Sequence, residues 1–166
     1  MKLVIVGCSG SGKSTAVRRI LKYTEREIWG LWSEKLPAAE GLPAPVYLHS
    51  YRAPIRYNEE NRIGVCENRR AQSFPAVFET LGAETLRQIP EGSLVLLDEI
   101  GVMESQATQF QAELFRLLDG NFDVLLTVRD KHTPLLDAIR SHPQVRCVSA
   151  EAANDETFCQ EVAAKL

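Results

Sequence analysis

The stretch that most narrows what this chain can become is its beginning. Leu3-Val4-Ile5-Val6, four apolar and mostly β-branched residues, run straight into Gly7-Cys8-Ser9-Gly10-Ser11-Gly12-Lys13-Ser14-Thr15. A buried strand followed by Gly-x-x-x-x-Gly-Lys-Ser is the phosphate-binding loop pattern, in the strand–loop–helix context that the motif requires. Gly7, Gly10 and Gly12 are expected to take positive φ and let the backbone approach a bulky anion. The N–H groups of the loop then point inward at phosphate oxygens. The helix that starts near Lys13 adds unpaired N–H groups and the positive end of its dipole. Every residue from Gly7 to Thr15 is thus a candidate nucleotide contact. Lys13 is expected to reach the β- and γ-phosphates as a point charge, and the Ser14 hydroxyl to ligate Mg²⁺.

Alternation of elements continues along the chain. Ala16, Val17, Ile20 and Leu21 recur at helical spacing and predict an amphipathic helix. Ile28 to Ser33 reads as the second strand, followed by a Pro- and Ala-rich connection from Leu36 to Pro45. Val46–Ser50 and Ala53–Tyr57 predict a hairpin, with a further short strand over Arg62–Cys66. Residues from about 36 to 73 therefore read as a β-hairpin insertion on a single P-loop domain spanning 1–166. Phe74-Pro75 opens a helix with Val77, Phe78, Leu81 and Leu86 inside, ended by Pro90 and Gly92. Leu94–Leu97 is a strand buried on both faces. Phe110, Leu114, Leu117 and Leu118 mark a helix stopped by Gly120. Asp123–Val128 is a strand, Thr133-Pro134 opens a short helix, and Val145–Ser149 is the last strand. Asn154 is expected to cap the final helix, where Phe158 and Val162 lie at i, i+4. Alternating β and α elements imply an α/β fold: helices on both faces of a mainly parallel sheet, the three-layer architecture of P-loop NTPases.

The second half of the site follows from Leu94-Val95-Leu96-Leu97-Asp98-Glu99, an apolar strand ending in two acids. Beside a phosphate loop this is the Walker B arrangement. Asp98 is expected to hold Mg²⁺ opposite Ser14, since ligands of open α/β sheets bind beyond the carboxyl ends of the strands. Glu99 is positioned to deprotonate a water in line with the γ-phosphate. Glu104 lies five residues on and can support the same region. Thr127 ends the strand from Asp123. In the strand order last–first–fourth–third–second, usual for glutamate-base P-loop proteins, it would face the γ-phosphate as a polar sensor. Arg129 and Lys131 follow on the same edge, and Arg129 is the candidate that supplies positive charge to the transition state.

Other features exclude more than they assign. A net charge of −3 argues against a dedicated nucleic-acid or anionic-membrane surface. A local patch stays open, because Arg52, Arg56, Arg62, Arg69 and Arg70 interleave with Tyr47, Tyr51 and Tyr57 in a way that can grip an acceptor nucleotide or a single strand. Cys8, Cys66, Cys147 and Cys159 lack metal-ligand spacing and read as free thiols, and His49, His132 and His142 are scattered. No signal peptide or membrane-length apolar run is seen, so a cytoplasmic setting without an obligate protein partner is expected. Val148-Ser149-Ala150 sits where P-loop proteins often contact the base, and the Asn-Lys-x-Asp guanine reader is missing.

At Leu96-Leu97-Asp98-Glu99-Ile100-Gly101-Val102-Met103-Glu104 the chain resembles the small nucleoside-triphosphatases of the THEP type. These carry Asp-Glu-Ile-Gly-x-Met-Glu after an apolar strand and a phosphate loop at the extreme N-terminus. Trp32-Ser33-Glu34 and Thr127-Val128-Arg129-Asp130-Lys131 match two further elements of that family. The resemblance spans nearly the whole chain, strong at Gly7–Thr15 and Asp98–Glu104 and loose between Leu36 and Ser73. It implies Mg²⁺-dependent hydrolysis of ATP, GTP and other nucleoside triphosphates to the diphosphate and phosphate. Two rivals share the same loop: a nucleotide or polynucleotide kinase that binds its acceptor on the Arg-rich segment, and a nucleotide-gated binding module.

Overall fold

The computed structural model describes residues 1–68 and 70–166; Arg69, one of the arginines named above, lies outside the described residues. Strand β1 (Lys2–Gly7) feeds through the loop into α1 (Lys13–Leu21). Then come β2 (Ile28–Lys35), β3 (Ala44–Ser50), β4 (Arg62–Glu67) and β5 (Arg70–Ser73). Helix α2 covers residues 75–87 and contains a π-helical turn at Phe78–Gly82. It is followed by β6 (Leu94–Ile100), a 3₁₀ turn (Met103–Gln106) and α3 (Thr108–Asp119). The chain closes with β7 (Asp123–Arg129), α4 (Pro134–Arg140), β8 (Arg146–Ser149), α5 (Ala150–Ala153) and α6 (Glu156–Ala163).

The eight strands form one sheet in the order β5-β4-β3-β2-β6-β7-β1-β8. From β8 to β2 all pairings are parallel, and this is the expected order last–first–fourth–third–second. Side chains alternate across the sheet because the strand period is two. Leu3, Ile5, Leu94, Leu96 and Leu125 pack under α1, α5 and α6, whereas Val4, Val95, Leu97, Val124 and Leu126 pack under α2, α3 and α4. Residues buried on both sides explain why the central strands read as unbroken apolar runs. Among the described residues no helix is long and apolar enough to cross a membrane.

Two local expectations are corrected, the Ala53–Tyr57 strand and the Asn154 cap. Ala53–Tyr57 is not a strand. Pro54 brings no N–H to a ladder, and the buried Asn61 side chain ties this loop instead, donating to the carbonyls of Leu48 (3.0 Å) and Arg56 (2.7 Å) and accepting the Asn58 N–H (3.1 Å). The hairpin partner of β3 is β4, and β3, β4 and β5 extend the central sheet antiparallel from β2. The cap of α6 is Asp155, whose carboxylate accepts the Phe158 N–H at 2.9 Å, while Asn154 ends α5. The helix from Pro75 is widened by its π turn. There Gly82 lets α3 come close, since a Cβ on it would stand 3.0 Å from the Phe110 ring.

Candidate active site

The phosphate loop leaves β1 at Gly7. Gly10 and Gly12 have φ of 77° and 91°, a conformation in which a side chain is strained. Gly7 departs from the expected positive φ. It is required for space, because a Cβ there would lie 2.2 Å from Ser11 Oγ and 3.1 Å from Ala150 Cβ. Asn154 reaches back from the end of α5 and donates to the carbonyl of Gly12 at 3.1 Å and of Ala150 at 2.7 Å, fixing the loop against the α5 turn. The Lys13 ammonium, on a buried side chain, donates to the carbonyls of Gly7 (3.0 Å) and Cys8 (2.8 Å). An ammonium has three donors, so one N–H stays available for a phosphate oxygen. Cys8, Ser9, Gly10 and Thr15 are exposed on the rim.

The acids of β6 meet the loop through a bulge. β6 and β7 pair in register up to Leu97 and Leu126, and the register resumes shifted at Ile100 and Val128. Asp98 and Glu99 therefore oppose Thr127 alone. A bulge re-aims side chains that regular alternation would send to opposite faces. Glu99 adopts φ 70°, one of two non-glycine residues with positive φ among the described residues, and such a conformation costs about 1–2 kcal/mol. Thr127 holds the bulge. Its hydroxyl, wholly buried, donates to Asp98 Oδ1 at 2.6 Å and accepts the Glu99 N–H at 2.7 Å. Thr127 thus holds both acids through one hydroxyl. Asp98 Oδ1 also accepts the Ser14 hydroxyl at 3.2 Å. The first helical residues of the loop and the end of the central strand thus share one point. Ser14 Oγ and Asp98 Oδ1 are hard oxygen donors, the kind Mg²⁺ takes one or two of while keeping water and phosphate oxygens.

Beyond Glu99 the chain turns inward. Glu104 is buried; its Oε2 accepts the Gly101 N–H at 3.1 Å, and its own carbonyl accepts Gln111 Nε2 at 2.8 Å. Burial, the largest cause, pushes its carboxyl up to about 7 against the lowering effects of the backbone N–H donors and of Arg129. Arg129 lies along Gly101, whose Cβ position is 3.5 Å from Arg129 Cδ. Glu99, Gly101, Glu104 and Arg129 line a cavity of about 80 Å³ that continues to Ser33 and Lys35 of β2. Glu99 also lines the open pocket of the loop with Gly10, Gly12, Lys13, Ser14 and Thr15.

The structure does not bring every candidate to this point. Lys131 is exposed, with its carbonyl accepting Arg140 Nη2 at 2.6 Å. Arg52 lies 5.0 Å over Trp29 and 3.4 Å from Glu27, and Arg62 pairs with Glu59 at 2.8 Å and lies 5.8 Å from the centre of the Phe74 ring. Tyr57 donates to Glu34 at 2.8 Å. Ser149 caps α5 by accepting the Ala152 N–H at 3.1 Å. Two neighbours of the site are not assigned to it by sequence: Lys35 is not singled out, and Tyr51 reads only as part of the Arg- and Tyr-rich segment. Lys35 enters through the parallel pairing of Trp32 with Asp98, and Tyr51 is close enough for the charge of Asp98, after burial, to raise its phenol pKa.

Comparison with known proteins accords with this fold. A family model described as NTPase matches residues 2–163. Nucleoside-triphosphatase THEP1 of Thermotoga maritima is 22% identical over 186 residues, covering 100% of this chain and 95% of that protein. The protein of the same name from Aquifex aeolicus is 22% identical over 191 residues, covering 100% and 99%. The crystal structure of THEP1 from Aquifex aeolicus superposes with a TM-score of 0.71 at 20% identity, over 100% of this chain and 99% of the other.

Proposed function

The chain belongs to the NTPase family, among the THEP-type nucleoside-triphosphatases, and from that premise we propose that it is a Mg²⁺-dependent nucleoside-triphosphate phosphohydrolase of broad base tolerance. The observation that carries the reading is the position of Glu99. This residue lines the loop pocket, directly after the residue that meets Ser14. The loop N–H groups and the free donor of Lys13 hold the β- and γ-phosphates. Ser14 and Asp98 are the residues that would hold Mg²⁺, which when bound neutralises charge on those phosphates. A water oxygen attacks the γ-phosphorus while Glu99 takes its proton. The bond from that phosphorus to the bridging oxygen breaks, its electrons leave on the diphosphate, and no covalent enzyme intermediate forms. Arg129 lines the cavity beyond Glu99 and not the loop pocket; it is the cation that would supply positive charge to the transferring group on turning past Glu99. Thr127 fixes the Asp98 carboxylate and the Glu99 backbone.

Two of the arginines that the kinase reading would use, Arg52 in the loop after β3 and Arg62 of β4, already meet acids and rings, which gives that reading less support. The deciding assay incubates ATP, GTP, CTP and UTP separately with the chain and Mg²⁺, with and without nucleoside, nucleotide and RNA acceptors. Phosphate release from all four without acceptor is expected. Label appearing on an acceptor, with no phosphate in its absence, would overturn the reading in favour of a kinase. Tight triphosphate binding with negligible turnover, relieved only by a cell extract, would favour the binding module.

A further inference from the structure

Glu99 belongs to two spaces at once. On one side is the pocket of the phosphate loop, on the other the cavity of about 80 Å³ that runs between the ends of β2 and β6 and under the antiparallel extension. We propose that this second space is a binding compartment for a tetrahedral oxyanion, the phosphate produced by hydrolysis, and that the phosphate leaves through it. The inference rests on the hydrolytic reading.

Three features of the cavity argue for an anion of this size. Its volume is several times the roughly 10–15 Å³ that a single water needs, which leaves room for one tetrahedral oxyanion. Its walls bring two cations, Lys35 and Arg129. Among the described residues neither side chain enters an ion pair. Most of the remaining wall apart from Ser33 is apolar, with Val46, Ile63 and Met103 reducing the water that would screen a charge. The two acids on the wall do not cancel this. Glu99 forms the partition to the loop pocket, and Glu104 spends one oxygen on the Gly101 N–H. Burial also keeps the Glu104 carboxyl partly protonated near neutral pH.

The direction of exit follows from what remains behind. After cleavage the diphosphate still occupies the loop N–H groups and Lys13, so the way back is blocked until it dissociates. The cavity behind Glu99 is the space left to a free phosphate once that side chain moves, and Lys35 stands exposed at the end of β2 to receive it. Across the cavity, Ala71 of β5 is also exposed.

The test is equilibrium dialysis of radiolabelled inorganic phosphate against the full chain saturated with Mg²⁺ and nucleoside diphosphate. Lys35→Ala removes a cation at the mouth, and Ala71→Glu adds an acid to the opposite wall; both positions are exposed, so folding is not at risk. A single phosphate per chain is expected in the wild type. Its affinity should be about fivefold weaker in Lys35→Ala, the scale of an exposed charge pair, and weaker in Ala71→Glu. Diphosphate affinity should not change in either variant. In steady state, added phosphate should inhibit the wild type without competing with the triphosphate. Phosphate that cannot bind beside the diphosphate, or that binds wild type and both variants alike, overturns the proposal. Absence of hydrolysis would show separately, as no phosphate formed from triphosphate, and leaves the dialysis result readable.

Discussion

Thr127→Val is the sharpest probe of how the two acids are held, since it removes a hydroxyl and leaves the shape of the side chain. That hydroxyl makes two bonds, one to the Asp98 carboxylate at 2.6 Å and one from the Glu99 N–H at 2.7 Å. The first is charge-assisted and worth about 1.5–3 kcal/mol; losing the second leaves a backbone donor unmet at a cost of about 1–3 kcal/mol. Asp98 is only half-buried and can recruit water in exchange, so a combined loss of about 3 kcal/mol is reasonable. For a chain of this length that lowers the thermal midpoint by about 6–12 °C. Turnover should fall as well. Glu99 sits at φ 70°, and without its tether the backbone can relax the strain and carry the carboxylate away. A loss of at least about tenfold in kcat with little change in KM is expected, the pattern of a group that matters only in the transition state. Calorimetry and steady-state kinetics read both effects, and Thr127→Ser, which keeps the hydroxyl, should recover most of each. If Thr127→Val melts within about 2 °C of the wild type and turns over normally, the bulge is not held as described.

Other perturbations separate the remaining roles. Glu99→Gln should retain Mg²⁺–nucleotide binding, measured by titration calorimetry, and lose turnover by at least about 10²-fold; an unchanged rate would remove Glu99 as the base. Lys13→Ala should lose triphosphate affinity and activity together in the same two assays. For Glu104 the expectation is a pH effect. Its carboxyl rises from 4.5 to about 7 on folding because it is buried, so between those values the folded chain keeps a proton that the unfolded chain has lost. Its contribution is therefore most favourable below about pH 4.5 and is lost as pH rises to about 7, by about 3 kcal/mol in all. Glu104→Gln should flatten that fall in urea-unfolding free energies measured between these limits, and parallel curves for the two proteins would contradict it.

The parts of this protein that can be read along the chain are those whose chemistry is written in one stretch. Gly7 to Thr15 carries strand, loop and helix start in sequence, and the apolar run into Asp98-Glu99 announces both its burial and its polar end. What cannot be read there depends on contacts between distant segments. β5, Arg70-Ala71-Gln72-Ser73, has no apolar alternation because it is a polar edge strand. Ala53–Tyr57 has strand-like composition, but Asn61 outcompetes the ladder for its backbone. The bulge contains no glycine to announce it, and only the pairing of β6 with β7 reveals that Glu99 is turned. Glu104 looks like a surface acid at a turn. It is buried because the loop after β6 is pinned on two sides: Ser73 donates to the Met103 carbonyl at 2.7 Å and Gln111 to its own.

The most direct test is single-turnover hydrolysis in water enriched in the heavy oxygen isotope, with Mg²⁺ present and acceptors absent, followed by mass spectrometry of both products. Attack by a Glu99-activated water at the γ-phosphorus predicts one heavy oxygen in the released phosphate and none in the diphosphate. Heavy oxygen in the diphosphate, or no phosphate at all, would mean that the loop and the paired acids do not form the hydrolytic centre described.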